Sequence, residues 1–139
     1  MVTTRPEHEA AQDEYESFLA QSGLSRGDLQ HIALEEVDFL DSFTAADVSG
    51  VLIGASPYNA DTPAAEKTRS QRNVEEQIRE LLGVVLKEGI PLLATGVALQ
   101  VLADYLGTGT QEEFGEELGA VDLFLTAEGR EDPVLEGLP

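Results

Sequence analysis

Apolar side chains recur at helical spacing in three segments of the chain. In residues 70–88 the apolar positions form one stripe, and the charged positions lie away from it. The stripe comprises Val74, Ile78, Leu81, Leu82 and Val85. This pattern predicts an amphipathic helix that Gly89 is well placed to end. The same spacing predicts two further helices, which end at Gly23 and Gly107. Their apolar faces consist of Ala11, Tyr15, Phe18 and Leu19, and of Ala98, Val101, Leu102 and Tyr105.

Short apolar runs without helical spacing predict the strands. Residues 50–53 and 90–94 are almost continuously apolar, which is typical of strands covered by helices on both faces. Residues 2–4 are predicted to end a first strand, and residues 31–34 to form a short strand. Residues 121–125 alternate and predict a strand that is half-exposed or at an edge.

The segments between these elements carry turn and capping signals. Thr4 and Glu7 have the spacing of a capping box at the start of the first helix, and Pro6 suits its first turn. Residues 58–68 are polar and contain a proline, so we expect a surface loop there. His31 is expected to be a strand side chain that meets solvent.

The alternation of strands and helices with short connections predicts an α/β fold. We expect a three-layer sandwich around a mostly parallel, flavodoxin-like sheet, formed as one domain over residues 1–139. Ligands of such sheets bind at the carboxyl ends of the strands. Residues 54–58 and 95–97 follow the two apolar strands, and their small side chains allow backbone amides to approach a ligand closely.

The composition excludes several classes of function. Eight Lys and Arg residues against 27 Asp and Glu residues give a net charge of −19, so neither nucleic acid nor a membrane is expected as a partner. The chain has no cysteine, which excludes disulfides, thiol chemistry and thiolate metal sites. No metal and no cofactor are expected. Without a membrane-length apolar run or a signal peptide, a cytoplasmic protein is the default expectation.

Three motifs in order resemble a known family. These are GVLIGASP at residues 50–57, IPLLATGVALQ at 90–100 and LTAEGREDPVLEGLP at 125–139, and the long amphipathic helix lies between the first two. Together they resemble the class I glutamine amidotransferase domain, in particular stand-alone members similar to the amidotransferase part of GMP synthase. The resemblance covers nearly the whole chain. It implies a domain that releases ammonia from glutamine and delivers it to a synthetase partner.

The resemblance also identifies where the family's chemistry is missing. The family carries a nucleophilic cysteine on a strand-to-helix elbow, in a pattern like Gly-x-Cys-x-Gly-x-Gln, and Gly96 stands at the cysteine position. Ala98 replaces the following glycine, Leu99 stands where a histidine is common, and Gln100 is retained. No catalytic residue is therefore expected. The resemblance implies substrate contacts from Gly54, Ala55, Ser56, Val97 and Gln100.

The family's catalytic histidine and glutamate have no counterpart here. The sequence ends at Pro139 before the region that holds them, and neither His8 nor His31 matches the catalytic position. We therefore expect an incomplete domain. Thr95 or Ser56 would need a base within about 3 Å to act as a substitute nucleophile, and no histidine is placed to serve.

Two hypotheses follow. The first is an amidotransferase-like pseudoenzyme or truncated member without glutaminase activity, with a scaffold or interaction role. The alternative is a glutamine-hydrolysing subunit completed by another chain, although a partner could hardly supply a thiol at Gly96. Expected partners are glutamine and a synthetase or other protein. Self-association is the further possibility, because a shortened parallel sheet exposes an edge strand and apolar faces.

Overall fold

Four strands, three helices and three short 3-10 turns make up the described part of the chain. The computed structural model describes residues 1–36, 43–109, 119–120, 122 and 124–137. The strands are β1 (Val2–Thr3), β2 (Ile32–Ala33), β3 (Val51–Ile53) and β4 (Leu92–Ala94). The helices are α1 (His8–Ser22), α2 (Arg69–Glu88) and α3 (Val97–Tyr105). The turns are Ala45–Asp47, Gly129–Glu131 and Pro133–Leu135.

The strands form one parallel sheet in the order β2-β1-β3-β4. In register, Val2 on β1 faces Ile32 on one side and Ile53 on the other. Strands β3 and β4 pair from Val51 with Leu92 to Ile53 with Ala94. Strand β2 lies on one side of β1, and β3 and β4 lie on the other. The strand order therefore changes direction between β1 and β3, which is the switch point of a flavodoxin-like sheet. The predicted α/β, three-layer fold is confirmed.

Helices cover the two faces of this sheet unequally. The predicted stripe of α2 is buried completely and packs with α3 against the strand residues on one face. These strand residues include Val2, Ile32, Val51 and Ile53. On the other face, α1 places Tyr15 against Met1 and Leu29, with Phe18, Leu19 and Leu52 beside them. The predicted apolar faces of α1 and α2 are therefore confirmed.

Residues next to α2 determine both of its ends, whereas the cap predicted for the start of α1 is absent. The Thr68 side chain caps α2 by accepting a hydrogen bond from Gln71 N at 3.0 Å, and Gly89 ends the helix in a left-handed conformation. The predicted capping box at α1 is wrong. Thr4 is buried, and its hydroxyl donates to Ala55 O at 3.2 Å instead of capping the helix. The two residues are 51 positions apart in the sequence, so this hydrogen bond anchors Thr4 at the carboxyl edge of the sheet.

The strand predicted over residues 121–125 is not seen where the chain is described. Residues 122, 124 and 125 have no strand geometry, and Phe124 is 86% exposed. Residues 121 and 123 lie outside the described residues, as do residues 138 and 139 of the last motif. None of the helices in the described ranges combines the length and apolarity needed to cross a bilayer.

Candidate functional site

Two loops meet at the carboxyl edge of β3 and β4. Thr95 follows β4 and ties the loops together, because its N–H and its hydroxyl both donate to Ile53 O, at 3.1 and 3.0 Å. A Cβ atom placed on Gly96 would lie 3.4 Å from Ala55 Cα and 3.5 Å from Ser56 N. The structure therefore brings Gly96 and the loop of residues 54–56 into contact, as the sequence predicts.

Gly96 forms the tip of a sharp strand-to-helix turn. Its φ of 55° and ψ of −127° are dihedral angles that L side chains rarely adopt, and it is the N-cap of α3. Elbows that display a nucleophile hold that residue in a strained turn of this kind. Glycine adopts the conformation at little cost. The predicted elbow is present, and it displays no reactive group.

Two backbone amides at this edge have no acceptor within the described residues. Neither Ser56 N nor Val97 N donates a hydrogen bond within the described residues. Val97 is the first residue of α3, so its amide carries part of the helix's positive end. Ser56 N lies 3.5 Å from a Cβ position on Gly96, and Val97 N follows Gly96 directly, so each of the two loops contributes one N–H next to the elbow.

The third amide of this edge is already occupied. Ala55 N donates to Glu14 Oε1 at 2.7 Å, and Glu14 reaches the loop from α1. The Glu14 side chain is 12% exposed, and its Oε2 lies 3.5 Å from Arg5 Nε. Among the described residues, Glu14 Oε2 is buried without a hydrogen bond. Ala55, predicted to contact substrate, thus offers its N–H to the protein itself.

Glu14 also accounts for Gly54. A Cβ atom on Gly54 would lie 2.6 to 2.8 Å from the three atoms of the Glu14 carboxyl group. The missing side chain makes room for this carboxylate rather than for a ligand. Sequence reasoning missed Glu14, although a signal existed: an acid lies within the apolar stripe, three residues after Ala11 and four before Phe18.

Gln100 lies on α3 near the elbow with both ends of its amide engaged. Its Oε1 accepts from Ala60 N at 2.9 Å, and its Nε2 donates to Asn59 Oδ1 at 2.9 Å. The resemblance implies that this side chain holds substrate. In the structure it holds the loop that follows β3.

A largely buried polar network fixes the same loop from the side of α2. Lys67 Nζ donates to Ala60 O and to Glu75 Oε2, both at 2.7 Å. Gln71 Nε2 donates to Asn59 O at 2.8 Å and to Glu75 Oε1 at 2.9 Å. Residues 58–68 form a loop, as predicted, but this network was not anticipated from their polar composition. It makes the loop a fixed wall of the site.

The two hydroxyl groups near the elbow hold the backbone in place. The Thr95 hydroxyl is bonded to Ile53 O, as described above. Ser56 Oγ lies 3.4 Å from Thr4 O and accepts from Tyr58 N at 3.1 Å. Neither hydroxyl has a histidine beside it, because both histidines of the chain lie elsewhere.

Both histidines line a cavity of about 240 Å³ beside β2, on the far side of the sheet from β4. His31 stacks on Tyr15 with ring centroids 4.6 Å apart, and its Nε2 lies 2.9 Å from Thr3 Oγ1. Burial, with the nearby N-terminal ammonium group, lowers the pKa of His31. His31 lies just before β2 and is partly exposed, so the expected strand side chain that meets solvent is seen only in part. In the cavity, His8 Nε2 lies 3.6 Å from Glu36 Oε1.

Within the described residues, no group of three acidic, histidine or cysteine side chains could hold a metal ion.

Comparisons of the chain with protein-family models, curated proteins and solved structures found no match. The resemblance to the class I glutamine amidotransferases stays a prediction.

Proposed function

We propose that the chain is a glutamine amidotransferase-like scaffold without glutaminase activity, whose carboxyl edge binds a ligand and does not convert it. The observation that carries this proposal is the elbow at Gly96, which has positive φ, faces Ser56 N and bears no side chain. The edge keeps the shape of a site for nucleophilic chemistry and lacks the nucleophile.

Hydrolysis of an amide through a covalent intermediate needs three groups. These are a nucleophile, a base within hydrogen-bonding reach of it, and donors for the oxyanion. Within the described residues, this edge offers donors, from Ser56 N and Val97 N, and no histidine lies beside the elbow. Such donors bind a side-chain amide oxygen in the ground state, and a carboxylate more strongly, and no bond is broken. Free glutamine carries both kinds of oxygen, which supports it as the ligand to test first.

The assay for the catalytic part of the proposal is ammonia release from glutamine by the purified chain. We expect no release above a buffer control. Ammonia release by the chain alone would contradict the proposal. Release only with a partner chain would favour an amidotransferase subunit completed in trans.

The binding part is tested by calorimetric titration with glutamine, using two substitutions at Val97. Proline is tolerated at the first position of a helix, so Val97→Pro removes the N–H donor, while Val97→Ala shortens the same side chain and keeps the donor. We expect Val97→Pro to bind glutamine about tenfold more weakly than Val97→Ala, the loss expected for one hydrogen bond of about 1.4 kcal/mol. Equal affinity of the two variants, or no binding by the unmodified chain, would overturn this role.

A further inference from the structure

The face of β3 and β4 opposite α2 is covered incompletely. Side chains alternate along a strand, and since Leu92 and Ala94 pack into the main core, Leu93 points to the other face. There it is 51% exposed, beside the partly buried Leu52 of β3. A groove of about 630 Å³ runs along this face, with Leu24 and Leu29 on its far wall.

Helix α1 accounts for only part of this face. Its apolar residues pack on Met1, Leu29 and Leu52, toward β1, and Leu93 is not among the residues they cover. Parallel strands in α/β folds are ordinarily covered by helices on both faces. The groove beside α1 is therefore a place for one more helix, with leucines as its floor.

The charge around the groove favours one kind of occupant. Asp28 lines the groove, and neither Lys nor Arg is found among the described residues that line it. The hydrogen bond from the Ser25 hydroxyl lowers the pKa of Asp28, so its carboxylate is charged at neutral pH, as for an ordinary Asp. A second copy of the chain would bring another net charge of −19, whereas a cationic partner would be attracted.

We propose that this groove binds an amphipathic helix of a partner protein, with apolar residues on Leu52 and Leu93 and Lys or Arg residues beside Asp28. Such helices present anchors at positions i, i+3, i+4 and i+7. The proposal concerns the face remote from the Gly96 elbow and does not depend on ligand binding there.

The test uses a labelled peptide of about 18 residues, in which leucines form one helical face and lysines the other, and measures binding by fluorescence anisotropy. Leu93→Gln removes the groove's exposed anchor. Leu99→Gln is the matched control, because Leu99 is 56% exposed on α3 and does not line the groove. Circular dichroism confirms that both variants are folded.

We expect Leu93→Gln to weaken binding about tenfold and Leu99→Gln less than about twofold. Asp28→Asn should weaken binding a few fold and reduce its dependence on salt. A scrambled peptide of the same composition that binds as tightly, or an equal loss in both leucine variants, would overturn the proposal. So would sedimentation that shows a dimer dissociated by Leu93→Gln, since the occupant would then be a second copy.

Discussion

The contact between Gly54 and Glu14 predicts that Gly54→Ala destabilises the protein when Glu14 is present. When Glu14 is replaced by alanine, the same substitution should be neutral or stabilising. Gly54 does not have a positive φ, so alanine can adopt its backbone conformation. The obstacle is the Glu14 carboxyl group, whose three atoms lie within 2.6 to 2.8 Å of the added Cβ. To admit the methyl group, the carboxylate must leave Ala55 N, to which it is bonded at 2.7 Å.

The expected magnitudes follow from this single bond. A hydrogen bond to a charged group contributes about 1.5–3 kcal/mol, so Glu14→Ala should lower the free energy of unfolding by that amount. Gly54→Ala breaks the same bond, but it recovers about 0.4–1 kcal/mol because alanine reduces the entropy of the unfolded chain. We therefore expect a net loss of about 0.5–2.6 kcal/mol. In the Glu14→Ala background no clash remains, and Gly54→Ala should be neutral or stabilising.

Urea denaturation followed by circular dichroism measures all four variants of this double-mutant cycle. Gly50→Ala is a suitable control, because a Cβ atom on Gly50 would meet Pro91 O at an ordinary 3.5 Å. It should raise the free energy of unfolding by about 0.4–1 kcal/mol, and by the same amount whether or not Glu14 is present. If Gly54→Ala costs the same in both backgrounds, then Glu14 does not occupy the space above Gly54, and the reasoning is refuted.

Three further predictions concern the elbow, His31 and the core. Gly96→Cys should not restore glutaminase activity, because both histidines lie at the β2 cavity, away from the elbow. Its single thiol, titrated by its rate of alkylation, should show a pKa below about 8.5 near the start of α3. Activity in this variant would show that a base exists. Because the pKa of His31 is lowered on folding, its contribution to stability is full above about pH 6.5 and is lost as the pH falls through the folded-state pKa. His31→Gln should therefore flatten the decline of the urea midpoint below about pH 6.5, and an unchanged decline would contradict this. Ile78→Ala, at a fully buried site, should cost about 2–5 kcal/mol in urea denaturation, and a loss below about 1 kcal/mol would show that Ile78 is not in the core.

The parts of the fold that were predictable are those fixed by local pattern. The buried stripe of α2 and the Gly89 cap follow from spacing within one helix. The elbow at Gly96 follows from a short apolar run that meets a helical pattern. In each case the residues that decide the structure are close together in sequence, so the chain itself shows them.

The parts that could not be predicted depend on partners distant in sequence. Thr4 has a capping-box spacing, yet its hydroxyl bonds to a carbonyl 51 residues away. The resemblance implied a substrate contact for Gln100, and Glu14 was missed, whereas each is bonded to the loop after β3. Such pairings become visible only when parallel strands place their carboxyl ends side by side. These pairings also explain why part of the predicted substrate site makes hydrogen bonds within the protein itself.

The shortness of the strands has a consequence for how the molecule opens. Each strand in the described residues has two or three residues, so the sheet contributes few ladder hydrogen bonds, whereas α2 extends over 20 residues with its inner stripe fully buried. We expect amide hydrogen exchange to be slowest in the middle of α2 and fast in β4, where Leu93 is exposed. The helix is then the last element to lose protection, and β4 opens in local fluctuations that leave the rest of the domain intact.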